Sequence, residues 1–252
     1  METPIRIKAI KINRWLPYWA VFQADVRQTT RSWVYRTWVL VTVLAVVGYL
    51  LYHVGIYQGA GIVQQASKLI SDLLRWTMLG SITLIIALTA GCISSERGTM
   101  ADSVLSRGIS RYQYFMGKWH ARLATVMVTF LTMGAVTLAA SYVLLHEDLS
   151  FIGSLVALAM VAALLLVVVS GGVTVSALVN STALGVAIMM LGVYGSCIAI
   201  SFLPSYFQTP NLTYILRGYY DLHLVGRLMG WSVLASCAMA VVGLVYFARR
   251  DV

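Results

Sequence analysis

Residues 151–169 read Phe-Ile-Gly-Ser-Leu-Val-Ala-Leu-Ala-Met-Val-Ala-Ala-Leu-Leu-Leu-Val-Val-Val, a stretch with no charged residue and a single hydroxyl, and small residues prolong it to Leu178. Crossing roughly 30 Å of hydrocarbon at about 1.5 Å per residue takes about 20 residues, so this run is long enough to span a bilayer as a helix. Backbone polar groups in lipid must be satisfied within the segment or around a closed barrel, and runs this long exclude a barrel. Five more runs of the same kind occupy 38–56, 76–93, 123–145, 183–203 and 229–247. The expected fold is an all-α integral membrane protein: six transmembrane helices over 38–252, preceded by a cytoplasmic segment, 1–37. The first run is too long for the core of a signal peptide and has no small-residue cleavage pattern after it.

Composition agrees. The 252 residues are 60% hydrophobic and 11% charged, with mean hydropathy +0.82, whereas soluble domains carry about 25% charged residues. A cytosolic globular enzyme is excluded. Lysines and arginines exceed acids by 9, and their placement reads as topology rather than as a nucleic-acid footprint. Arg6, Lys8, Lys11, Arg14, Arg27, Arg31 and Arg36 precede the first span; Arg97, Arg107, Arg111, Lys118 and Arg122 lie between the second and third; Arg249 and Arg250 end the chain. The alternate loops hold only Lys68, Arg75, Arg217 and Arg227, together with Glu147 and Asp148. Cytoplasmic loops hold the excess of basic residues, so both termini are expected inside, in a multi-pass protein of the cell inner (plasma) membrane. The three cysteines, Cys92, Cys197 and Cys237, are widely spaced within apolar runs and read as small core residues.

Before the first span, Trp15, Tyr18, Trp19, Phe22, Val26 and Trp33 recur at helical spacing, with Gln23, Arg27, Gln28, Thr30 and Arg31 on the other side. This predicts an amphipathic interfacial helix, its aromatics (Trp15, Trp19, Phe22) among headgroups and Arg27 and Arg31 towards anionic membrane lipid.

The middle of every span lacks Asp, Glu, Lys and Arg, and His53, His120, His146 and His223 fall at span ends or in loops. Ion-coupled carriers need intramembrane ionisable groups and cytochromes need facing histidines, so neither class is expected. No catalytic constellation is placed at membrane depth, which disfavours an intramembrane enzyme. Ser170, Gly171, Gly172, Thr174 and Ser176, then Gly185, Gly192, Gly195 and Ser196, then Ser232, Ser236 and Ala240 are expected to let helices pack closely, with a kink near 170–172.

The most informative segment is the loop 94–118. Thr99 with Asp102 makes a capping-box start, Met100, Val104 and Leu105 form one apolar side, and Gly108 supplies a stop. Ser110 with Gln113 is a second capping box that opens the helix into the third span. Gly117-Lys118 is not a phosphate loop, because residue 119 is Trp.

This loop resembles that of the permease subunits of type-2 ABC exporters. The matching residues are Glu96-Arg97, Gly98-Thr99, a short helix ending Leu105-Ser106, then Ser110-Arg111, the aromatics Tyr112 and Tyr114, and Gly117-Lys118. The layout is also similar, with a long outer segment between the last two spans, although Gly108 stands where the family usually has proline. The resemblance implies a coupling helix over 99–106 seated in a groove of a separate ATPase. The ATPase-coupling residues are then Glu96, Arg97, Gly98, Thr99, Met100, Asp102, Leu105, Ser106, Arg107, Ser110 and Arg111. It further implies an outer gate from the segment 204–228, with Tyr206, Phe207, Tyr214, Tyr219 and Tyr220, for which an aromatic belt at the membrane interface is the alternative. Asn211-Leu-Thr213 matches a glycosylation sequon, which carries little weight.

The expected function is therefore the permease subunit of an ATP-driven exporter. It binds no cofactor itself, relies on ATP and magnesium held by a dimer of ABC ATPase subunits, and pairs with a second permease copy or a homologue. A non-transporting membrane anchor or mechanotransmission subunit is the alternative.

Overall fold

The computed structural model describes residues 15–60, 65–96, 109–145, 148–202 and 210–249. Among them the chain is helical and contains no strand. Helix α1 is Leu16–Arg31, α2 Trp33–Ala60 and α3 Ala66–Ala90. After the 3-10 turn Ser94–Glu96 come α4, Arg111–Leu145, α5, Phe151–Leu178, and α6, Thr182–Ser201. The short α7, Leu212–Leu216, and α8, Leu222–Arg249, complete the series. Six of them, α2 to α6 and α8, are long and apolar enough to cross a membrane, which makes this an all-α, multi-pass membrane architecture.

Two of the helices begin well before the apolar runs do. α3 opens at Ala66, because Leu69, Ile70, Leu73 and Leu74 bury one side while Lys68 and Arg75 stay exposed on the other. Hydropathy averages over both faces and so misses such a turn. α4 opens at Arg111 for the same reason, and its cap is the reciprocal pair read from the sequence: Gln113 N donates to Ser110 Oγ at 3.2 Å and Ser110 N donates to Gln113 Oε1 at 3.1 Å. Ser150 caps α5, its Oγ accepting from Gly153 N.

α5 is the hub, packed against α3, α4, α6, α7 and α8. Apolar clusters follow it from one end to the other. Ala157 and Leu158 meet Ile70, Leu138, Ile215 and Leu216. Leu165 and Val169 meet Trp38, Ile85 and Val126. Val173 and Ala177 meet Ile93, Phe115 and Phe247. α1 lies along α4, burying Val21, Asp25 and Thr29.

Small residues work as expected at some positions and not at others. Ser232, Ser236 and Ala240 form the buried side of α8; Ser236 bonds Ser170, which also accepts from Trp119 Nε1 at 3.0 Å. Gly172 packs directly on Thr89. Gly185 packs against Ala90, but Gly192 and Gly195 face open space and Ser196 is exposed, so most of the small residues of α6 are not a packing seam within this chain. α5 is helical without interruption through 170–172, where Gly171 packs against Met189 and Met239 and Gly172 against Thr89.

A side chain at Gly172 has no room against Thr89, whereas one at Gly192 meets nothing within 4 Å. Gly172→Val should lower the thermal stability of the detergent-purified chain by about 1–3 kcal/mol, and Gly192→Val should leave it unchanged; melting curves of the two variants check the contrast.

Candidate functional site

The site begins where α3 runs out. A helix end leaves carbonyls without intrahelical partners, and here Leu88 and Cys92 present theirs to α4. Lys118 and Arg122, four residues apart, lie on one side of that helix and reach both: Lys118 Nζ donates to Cys92 O at 2.8 Å and Arg122 Nη1 donates to Leu88 O at 3.0 Å. Cations suit a helix C-terminus, but two of them in an apolar interior need anions. Lys118 is 3% exposed and Arg122 6% exposed.

Asp25 of α1 is the first anion, 2% exposed. Its Oδ2 lies 2.8 Å from Arg122 Nε, and its Oδ1 accepts from Arg122 Nη2 at 3.0 Å and from Lys118 Nζ at 3.3 Å. Glu96 is the second. Its Oε1 lies 2.7 Å from Lys118 Nζ, and its Oε2 accepts from Tyr114 Oη at 2.7 Å. Two cations face two anions, so the cluster is neutral, and Lys118 uses its three protons on three acceptors. Of the two Arg122–Asp25 contacts, Nη2 to Oδ1 is a hydrogen bond, and Nε to Oδ2 is an ion-pair contact.

Serines and threonines fix the same turn from the other side. Ser176 Oγ of α5 accepts from Ile93 N at 2.8 Å and from Ser94 N at 3.0 Å, and Ser94 Oγ bonds Thr182 Oγ1 at 3.1 Å. The segment from Cys92 to Glu96 is thus held by α1, α4, α5 and the start of α6. It leads directly into residues 97–108.

The expected coupling residues divide accordingly. Arg97, Gly98, Thr99, Met100, Asp102, Leu105, Ser106 and Arg107 lie outside the described residues. Glu96 is engaged with Lys118 and Tyr114 of its own chain rather than presented outward. Ser110 is the cap of α4, and Arg111 Nη1 donates to Ala248 O at 3.3 Å, at the end of α8. Of the aromatic pair, Tyr112 is exposed while Tyr114 is buried and stacks on Phe247.

On α1, Trp15, Trp19, Arg27 and Arg31 are exposed and Phe22 is half-buried, stacked on Trp19 with ring centroids 5.2 Å apart. At the opposite end of the bundle, Tyr206 and Phe207 lie outside the described residues, Tyr214 and Tyr219 are exposed, and Tyr220 packs on the first apolar cluster. Arg217 ties this segment down, its Nε donating to Ser67 Oγ at 2.9 Å and its Nη2 to Gln65 Oε1 at 2.8 Å. Among the described residues no three His, Cys, Asp or Glu side chains come together as a metal ion requires.

Asp25, Lys118 and Arg122 were not legible as a site. The available signal was Asp25, a lone acid at the centre of the stripe Val21, Asp25 and Thr29, which turns away from the arginines of α1. No protein-family model matches this chain, and no curated protein matches it.

This cluster joins α1, the end of α3 and the start of α4 at one point. Removing one partner of a buried pair leaves an uncompensated charge and costs about 3–5 kcal/mol. Asp25→Ala should therefore destabilise the chain by that amount, while Arg27→Ala, on the exposed side of the same helix, should stay within about 0.5 kcal/mol of the parent; thermal unfolding in detergent measures both.

Proposed function

We propose that this chain is the permease subunit of an ATP-binding-cassette exporter, lining a translocation path with a second permease copy and driven by separate ATPase subunits. The observation that carries the reading is the anchored root of the loop 97–108. A subunit without a power source of its own must receive motion from outside, and a loop can deliver it only if its base is stiff. The turn at 94–96 is such a base, tied by the Glu96–Lys118 ion pair to α4, through Lys118 to Asp25 of α1, and by the Ser176 hydroxyl to α5. ATP binding and magnesium belong, in this reading, to the partner ATPase. Closure of its two subunits stabilises one arrangement of the permease over the other, which is how an external ligand shifts a two-state protein.

Orientation follows the basic loops: both termini and the loop 94–118 face the cytoplasm, and the segment 204–228 caps the outer end. The spans carry hydroxyls and apolar groups rather than charge, which favours a lipid, a hydrophobic peptide or an amphipathic drug as cargo. A membrane anchor that passes ATPase work to another partner requires the same stiff root, and cargo-stimulated ATP hydrolysis in liposomes separates the two.

Met100 and Leu105 form the apolar side of the loop helix read from the sequence, so they are the residues to change. Met100→Asp with Leu105→Asp should abolish recovery of the ATPase chains on affinity purification, with membrane insertion and melting temperature retained. Undiminished recovery sinks the coupling role. Glu96 is unsuited to this test, because its loss also breaks the internal pair with Lys118.

A further inference from the structure

α2 leans mainly on α3 and touches α4 less. Trp38, Thr42 and Val46 recur every fourth residue of α2 and so stand in one line on the side that turns to both neighbours. Between this line and α4 lies a cleft of about 200 Å³ with apolar walls, bounded by residues 42–47 and 132–137. Val43, Val47 and Val136 form its exposed rim, at membrane depth. A narrower chamber of about 40 Å³ adjoins it and reaches between α2 and α3 to Trp38 and Ser81. Thr42, Val46, Met133 and Thr137 line both spaces.

Trp38 is 1% exposed, and its Nε1 has no hydrogen-bond partner among the described residues. A buried indole N–H usually has an acceptor, because desolvating it unpaired costs free energy. Two hydroxyls of the chamber are engaged elsewhere: Thr77 and Thr137 donate to Leu73 O and Met133 O of their own helices. Water is a poor acceptor here, since it needs two or more polar partners and the chamber walls are nearly all apolar. A charged group is poorer still, because no Asp, Glu, Lys or Arg lines either space. What suits the site is an apolar body that brings one neutral oxygen with it.

We propose that the cleft between α2 and α4 binds an uncharged, single-chain amphiphile of the bilayer. Its hydrocarbon lies against Val43, Val46 and Val136, and its hydroxyl or carbonyl oxygen accepts from Trp38 Nε1. Met133, the flexible side chain common to both spaces, yields to admit the oxygen. An enclosed apolar cavity of roughly 150 Å³ takes up benzene, so the cleft has room for a run of methylenes. The site lies within one chain and apart from the ion cluster, and it stands whether or not the chain is an exporter.

The test uses the purified full-length chain, without any ATPase, in phosphatidylcholine nanodiscs. The probe is dodecanol carrying a photoreactive diazirine on its chain, set beside dodecane with the same group. Adducts mapped by mass spectrometry should fall on 42–47 and 132–137, and unlabelled dodecanol should compete them away. One hydrogen bond should favour the alcohol over the hydrocarbon about fivefold, and Trp38→Phe, which keeps a ring but removes the donor, should make the two equal. Val46→Phe should abolish the adducts by filling the cleft. Val43→Trp, placed on the exposed rim, should do the same at the parent's melting temperature, which separates loss of the site from loss of the fold. Adducts spread equally to Leu40 and Leu44 on the exposed side of α2 overturn the proposal. So does equal labelling by alcohol and hydrocarbon in the parent, or an advantage of the alcohol that survives Trp38→Phe.

Discussion

Asp25 gives both of its oxygens to cations on α4, and those cations in turn satisfy the last carbonyls of α3. Charges this deep are unfavourable singly, since the desolvation of each is worth several kcal/mol. They persist here because four of them sum to zero and nearly every donor finds an acceptor. The consequence is geometric more than energetic. The pairs of Asp25 with Arg122 and Lys118 favour one register of α1 against α4, and the pair of Glu96 with Lys118 fixes the turn at 94–96 to the same helix.

That constraint divides the bundle into two regimes. From Leu165 towards the 157–158 end, association rests on interlocking apolar side chains and hydroxyl contacts, Tyr35 with Thr129 and Thr83 with Tyr194 among them. Such contacts tolerate sliding, since each interhelical hydrogen bond is worth only about 0.6 kcal/mol. At the end that carries the loop, sliding means separating ions. Among the described residues the buried ion pairs thus lie at the end that carries the loop.

Much of the architecture was legible before any coordinates. Six apolar runs gave six long helices, and the pair Ser110 and Gln113 gave a cap that the structure reproduces bond for bond. The failures share a cause. α3 starts early because one buried side suffices to hold a helix whose average composition is polar, and a window average cannot see sides. Gly192 and Gly195 were read as packing residues because spacing reveals which residues share a face of their own helix, never which neighbour stands opposite. The partners of Glu96 were hidden in the same way: the sequence shows its proximity to Arg97, but not that Lys118 and Tyr114 arrive from α4.

Sequence alone determined that the chain is a set of long apolar helices, where most of them lie, and that basic residues cluster before the first and between the second and third. Those are properties of single segments, set by transfer free energy and helical period. Only the tertiary structure decided that Asp25 turns inward to Lys118 and Arg122, that Ser176 holds the turn after α3, and that Arg27, Arg31 and Arg36 are left without partners among the described residues. A buried charge is stable only with its counter-charge in place, and residues 25, 96, 118 and 122 become neighbours through packing between segments, which no local pattern encodes.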